Sequence, residues 1–278
     1  MMKKMLGAGL VAAAIAASAT TASANEFKWS FNIGATTDYV FRGISQTAEN
    51  PTVQGGVDVS YGIFYAGVWA SGVDFGDTTA VGFPTRNVAT LEADFYAGVK
   101  PTLGPVTFDL GVIYYAYPGA RDNFATTNVR EQDYVEIKGG ASGAVIPFLP
   151  KLTLGGVVYF SPDYTGEQGE TWTTEATAAY ELPALWKFTP TVSGLVGAVY
   201  GEFDANAAGR NPGFVAANGE DSYLYWNVGL TLAIEKLSFD FRYWDTDIKN
   251  AGVSSQTLCT NPTFQCDERF VFTAKFTY

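Results

Sequence analysis

Glu92 and Asp94 stand two residues apart in the stretch ATLEADFYAGVK. If that stretch is extended, both carboxylates point the same way, about 7 Å apart. A pair at that spacing could divide acid–base work, as glycoside-cleaving carboxylates do. It could equally set the field of a water-filled passage. The rest of the sequence favours the passage. There is no histidine, which excludes a Ser-His catalytic arrangement and removes the commonest transition-metal ligand. Cys259 and Cys266 are the only two cysteines, too few for a structural zinc site. Lying close together in a chain that carries an export signal, they are expected to form a local disulfide. No strand–glycine-loop–helix pattern suggests a nucleotide site, and no cofactor is implied.

The elements that must position these groups are strands. Segments of roughly ten residues with period-two character recur along the chain. Twelve are predicted: 27–44, 52–60, 63–73, 89–100, 105–117, 132–142, 151–161, 171–181, 188–201, 222–234, 237–247 and 268–278. The pattern is clearest in SYLYWNVGLTLAI. There Leu224, Trp226, Val228, Leu230, Leu232 and Ile234 share one face, opposite Tyr223, Tyr225, Asn227, Gly229 and Thr231. The more polar faces together carry Lys28, Arg42, Asp58, Glu92, Asp94, Asp109, Glu136, Lys138, Glu175, Asp240, Arg242 and Lys275. Seven of these are acidic and five basic, which predicts opposed rows of charge with a slight bias for cations. Arg42 and Arg242 could instead be held in salt bridges to neighbouring carboxylates. The facing of 63–73, with Tyr65 and Trp69, and of 188–201 is left open by the pattern.

Connections alternate between long and tight. The long ones include SQTAENP, DFGDTTAVGFPTRNV, YPGARDNFATTNVRE, PDYTGEQGE, the stretch 201–221 and DIKNAGVSSQTLCTNPTFQCDE. The tight ones include Tyr61-Gly62, PTLGP, LPALWK and Glu235-Lys236. Alternation places all long loops at one end of an up-and-down sheet. An even strand number then brings both termini to the other end, the layout of an outer-membrane barrel. The six long connections hold 15 acidic and five basic residues; this crown is either simply solvated or binds divalent cations.

Alternation alone does not say which face meets water, since a soluble barrel alternates with its apolar side inward. Large aromatics gather near predicted strand ends (Trp29, Tyr61, Trp172, Tyr180 and Tyr200 among them), where a membrane interface would hold them. The chain also ends within a strand, with Phe270, Phe272, Phe276 and Tyr278 on one face. A sheet in hydrocarbon must close, because unpaired amides there cost several kcal/mol each. The last strand is therefore expected to pair with the first. This ending resembles the terminal signature of outer-membrane proteins, which implies recognition by the barrel-assembly machinery.

The first two dozen residues read as a secretory signal peptide: Lys3 and Lys4, a short apolar run, then Ala22-Ser23-Ala24. Cleavage is predicted between Ala24 and Asn25, leaving a single barrel domain over 25–278. Losing two lysines moves the formal charge from −11 to −13, which argues against a nucleic-acid partner.

The stretch GATTDYVFRGISQT, followed by QGGVDVSYGIFYAGVWASGVDFG, resembles the TorF family of porin-like proteins, also called the Gcw_chp family. The match is specific over 31–76 and general beyond. The resemblance implies an outer-membrane β-barrel and supplies no catalytic or ligand residues. The sequence thus predicts an all-β, transmembrane, antiparallel up-and-down barrel of about twelve strands. It is expected to sit in the outer membrane of a Gram-negative bacterium, among its lipid and lipopolysaccharide. Its expected role is passive diffusion of small hydrophilic solutes, with no enzymatic activity. Two rivals stand beside it: a non-conducting structural or surface-binding barrel, and a soluble periplasmic barrel for an apolar ligand.

Overall fold

A computed structural model describes residues 26–78, 86–120, 131–201, 222–248 and 264–278. Twelve long strands form one antiparallel sheet that closes on itself. They are β1 (Phe27–Thr36), β2 (Thr52–Tyr61), β3 (Phe64–Gly72), β4 (Leu91–Val99), β5 (Val106–Ala116) and β6 (Tyr134–Gly143), followed by β7 (Leu152–Ser161), β8 (Thr171–Glu181), β9 (Thr189–Gly201), β10 (Ser222–Ile234), β11 (Leu237–Thr246) and β12 (Arg269–Thr277). Each pairs with its neighbours in sequence, and β12 pairs with β1 from Thr36↔Thr273 to Asn32↔Thr277. No helix occurs among the described residues.

Closure explains the aromatic terminus. The Tyr278 amide donates to the Phe31 carbonyl at 2.9 Å, and the Phe31 amide donates back at 3.3 Å. The Tyr278 ring lies 5.7 Å from Trp29 and 5.5 Å from Phe31, with the Lys236 ammonium 3.5 Å over its face. The last residue is thus held by backbone pairing, stacked rings and a cation–π contact.

The pleat sorts side chains as the period of two demands. Outward-facing residues include Phe27, Trp29, Ile33, Val57, Phe95, Leu110, Val196, Val228 and Phe241, each exposed by 41% or more. Phe270, Phe272, Phe276 and Tyr278 share this outer face, Phe270 being 82% exposed. A belt of exposed aliphatic and aromatic side chains around a closed sheet has no counterpart in a soluble domain, which keeps large apolar patches covered.

The register also settles two segments that the pattern left open. Tyr65 and Trp69 point inward from β3, opposite Gly98 and Asp94 of β4, and Trp69 is buried. In β9, Ser193, Leu195 and Val199 are buried inside, while Val192, Val196 and Tyr200 face out.

One predicted element is corrected. The segment 27–44 is not one strand: β1 ends at Thr36, and residues 38–47 fold into the barrel. Asp38, Tyr39, Val40, Arg42, Ile44, Ser45, Gln46 and Thr47 are all buried. Within this segment Val40–Phe41 pairs with Ile44–Ser45 across Arg42 and Gly43, both in the left-handed region at φ 50° and 84°. Two consecutive positive φ values make the tight turn of a two-residue hairpin. Asp38 organises the base: its carboxylate accepts from Ser45 Oγ at 2.7 Å, Thr47 Oγ1 at 2.8 Å and Arg269 Nη1 at 3.0 Å. The alternation of YVFRGIS matches a strand. The Arg-Gly turn sends it across the lumen instead.

Candidate functional site

The site is the interior of the barrel, and it has two layers. At the long-loop half the inserted hairpin meets the opposite wall. The Arg42 guanidinium donates two hydrogen bonds to Glu136 of β6, Nη1 to Oε1 at 2.7 Å and Nη2 to Oε2 at 2.8 Å. It also lies over the rings of Phe41, Tyr159 and Tyr164, at 4.7, 5.0 and 5.8 Å. Both partners are almost wholly buried, at 3% and 2% side-chain exposure. A fork-to-fork pair with stacked rings is the arrangement that arginine, and not lysine, can make. Tyr223 donates to the Arg42 carbonyl at 3.2 Å, fixing the turn from a third wall.

Around this anchor the lumen is packed with aromatic rings. Tyr115 stacks on Tyr134 at 4.3 Å, Tyr134 meets Tyr164 edge-on at 4.8 Å, and Tyr39 meets Trp69 edge-on at 5.3 Å. A second cluster joins Val40 and Ile44 of the hairpin to Leu195, Val199, Tyr225 and Trp244. The polar inner face expected from alternation is therefore only half the story: the inner face also carries large rings. Several of their hydroxyls bind the charged groups. Tyr39 donates to Glu92 at 2.7 Å, Tyr115 to Glu136 at 3.1 Å and Tyr225 to Glu175 at 2.6 Å. Burial holds the Tyr164 phenol, in the connection after β7, above its ordinary range at about 12, and its oxygen accepts from Arg42 Nη1 at 3.3 Å.

Nearer the tight turns the layer is more open and more charged. Asp109 of β5 accepts from Tyr65 at 2.7 Å and from Lys138 of β6 at 2.9 Å, with Lys100 at 3.6 Å. Tyr96 donates to Asp58 at 2.6 Å. Across the barrel Arg242 of β11 binds Asp240 at 2.9 Å and donates to Ser193 at 3.0 Å and to Asn227. Lys275 of β12 lies within electrostatic reach of both Asp58 and Asp240. Lys28 is half-buried on the inner face of β1, 3.9 Å from Glu26.

Eleven of the twelve charged residues singled out in the sequence thus lie on the inner faces of strands. Arg42 also lies inside, but on the inserted hairpin and not on the wall. The pairing expected as an alternative for both arginines is what the geometry contains. Glu92 and Asp94 both point inward, and no cation is paired with them among the described residues. Asp94 sits directly opposite Trp69 on one neighbouring strand and Tyr115 on the other. Its Oδ1 is buried with no hydrogen-bond partner among the described residues. Asp38 and Arg269 were not singled out, although alternation through FVFTAKFT places Arg269 inward. Cys266 is buried, with its carbonyl accepting from Thr246 Oγ1 at 3.0 Å. Cys259, Ala24 and Asn25 lie outside the described residues.

A closed up-and-down barrel with an apolar exterior and a charged, tyrosine-rich interior belongs to the outer-membrane class of β-barrels. A family described as "Bacterial protein of unknown function (Gcw_chp)" matches residues 18–278, and the chain belongs to that family. No curated protein matches the sequence. Among solved structures, the NanC porin aligns over 89% of this chain and 98% of its own, at 9% identity and a TM-score of 0.51. LpxR from Salmonella typhimurium aligns over 90% and 99%, at 10% identity and a TM-score of 0.46. Likeness at such identity speaks to the fold alone.

Proposed function

We propose that this protein is a porin-like channel of the Gram-negative outer membrane, passing small hydrophilic solutes by passive diffusion. The observation that carries this reading is the charge laid across the bore. Glu92, Asp94 and Glu136 line one wall on β4 and β6, beside Lys138, while Arg242, Arg269 and Lys275 line the facing wall on β11 and β12, beside Asp240. Opposed rows of charge orient a polar solute and offer partners for the hydration it sheds at a narrow point. The surplus of wall carboxylates biases the passage mildly toward cations. The resemblance to the TorF family over 31–76 supports the outer-membrane barrel that this reading needs. The interior offers no histidine for base catalysis, and the reading assigns the chain no enzymatic role.

The second reading, a non-conducting barrel whose outer loops bind a surface partner, draws on the inserted hairpin. Between that hairpin and β11 a cavity of about 20 Å³ remains, bordered by Asp38, Tyr39, Asp240 and Arg242. That is room for roughly one water. In the channel reading the hairpin is the constriction, and in the rival it is a plug. Planar-bilayer recording of the purified protein separates them. Stepwise ohmic currents are expected for the channel, and silent bilayers containing folded protein overturn it.

A further inference from the structure

Four carboxylates converge on the long-loop half of the lumen: Glu92, Asp94, Glu136 and Glu175. Among the described residues a single cation, Arg42, answers them, and its fork is committed to Glu136. Among the described residues, Glu92 takes only hydroxyl donors and Asp94 Oδ1 is buried with no hydrogen-bond partner. Asp94 is 2% exposed and lies within electrostatic reach of both Glu92 and Glu136. Buried carboxylates are ordinarily paired or fully hydrogen-bonded. Two side by side without a counter-charge mark a place where positive charge is missing.

The surroundings say which kind of cation fits. Asp94 is flanked across the strands by Trp69 and Tyr115, with Tyr39 and Tyr117 packed in the same cluster. Aromatic faces beside carboxylates hold organic cations, whereas hard metal ions require several oxygen ligands. No group of three metal-ligating side chains occurs among the described residues. Arg42 shows the chemistry in place, since it is a guanidinium forked onto a carboxylate and enclosed by rings. We propose that Glu92 and Asp94, between Trp69 and Tyr115, bind the ammonium or guanidinium end of a small organic solute. The proposal rests on the channel reading only for the solute's route through the barrel.

The cover of this site comes from the inserted segment. Tyr39, which lies on Glu92 and against Trp69, belongs to the inserted segment and not to the wall. A solute cation that takes the carboxylates displaces Tyr39 without breaking the barrel's hydrogen bonds. Arg42 of the same segment makes the same kind of contact one strand pair away, on Glu136.

The test uses the full protein in detergent and two probes of one shape, propylguanidinium and propylurea, titrated by calorimetry. The charged probe is expected to bind saturably and at least ten-fold more tightly than the neutral one. Asp94→Asn and Glu92→Gln are each expected to weaken it at least five-fold. Equal binding of the two probes or unchanged affinity in the carboxamide variants overturns the site. If Asp94→Asn does not fold, Trp69→Leu reads the same site, with the same five-fold loss expected. Conductance recorded on the same preparation keeps the two readings apart. Binding without current ends the channel and keeps the site, whereas current with equal binding of both probes ends the site alone.

Discussion

Arg42 and Glu136 are 94 residues apart in sequence and share two hydrogen bonds across the barrel, at 2.7 and 2.8 Å. The pair pins the tip of the inserted hairpin to the wall opposite its own strands. Removing one partner of a buried pair leaves an uncompensated charge, at about 3–5 kcal/mol. Arg42→Ala is therefore expected to lower barrel stability by that order, read as loss of the heat-resistant folded band in a denaturant series. Arg42→Met with Glu136→Leu replaces both charges by apolar groups and is expected to recover most of the loss. In bilayers, Arg42→Ala is expected to raise single-channel conductance, because the hairpin tip is released from the wall. Unchanged stability and current would mean the pair does not hold the constriction.

Selectivity is tested at the acidic wall. Glu92→Gln together with Asp94→Asn removes two inward negative charges while keeping side-chain shape. The cation-to-anion permeability ratio is expected to fall, seen as a reversal potential in a salt gradient that moves toward zero. A reversal potential identical to the wild type would place these carboxylates off the conducting path.

The wall was legible because a period of two is a local property. Each strand's faces follow from its own residues, and long loops separated from tight turns fix the up-and-down order. The interior was legible only as charge. Asp58, Asp109 and Lys138 lie inside, yet the partners that bind them, Tyr96 and Tyr65, sit on other strands, and no local pattern specifies such a partner. The inserted hairpin was hidden for a related reason. YVFRGIS alternates like a wall strand, and what diverts it is the left-handed pair Arg42-Gly43 with anchors on β6, β10 and β12. Such anchors are tertiary contacts, and they override a local extended preference.

The outer face makes a separate prediction. Val228 stands 53% exposed near the middle of β10, between the outward side chains Trp226 and Leu230. Arginine at the midplane of a lipid-facing strand costs about 2–4 kcal/mol, and far less near an interface. Val228→Arg is expected to lose that much in a folding titration into lipid vesicles. The same change at Val145, exposed in the tight turn after β6, is expected to be nearly neutral. Equal costs at the two positions would mean that the belt does not face hydrocarbon.

The two cysteines predict a measurable redox state. A count of reactive thiols on unreduced, denatured protein is expected to find none, with two appearing after reduction. For so short a loop the bridge is worth about 2–3 kcal/mol by chain entropy. Cys266 lies ahead of β12, so reduction is expected to leave the barrel folded. Two free thiols before reduction would refute the Cys259–Cys266 bridge.

Glycines on the inner face are seats for rings, and Gly197 is the sharpest case. A Cβ built there would collide with the Tyr225 ring from the neighbouring strand. That ring reaches over Gly197 to donate its hydroxyl to Glu175 at 2.6 Å. Gly197→Ala must therefore push the phenol aside, break its bond to Glu175 and disturb the packing with Val199 and Ile44. Forced overpacking of this kind costs roughly 1–3 kcal/mol. If the glycine were kept only for strand curvature, the cost would be independent of the ring. A double-mutant cycle decides: Tyr225→Ala empties the seat, so Gly197→Ala in that background is expected to be close to neutral. Equal penalties in both backgrounds would show that Tyr225 does not require the glycine, and that this part of the lumen is less tightly built than its geometry states.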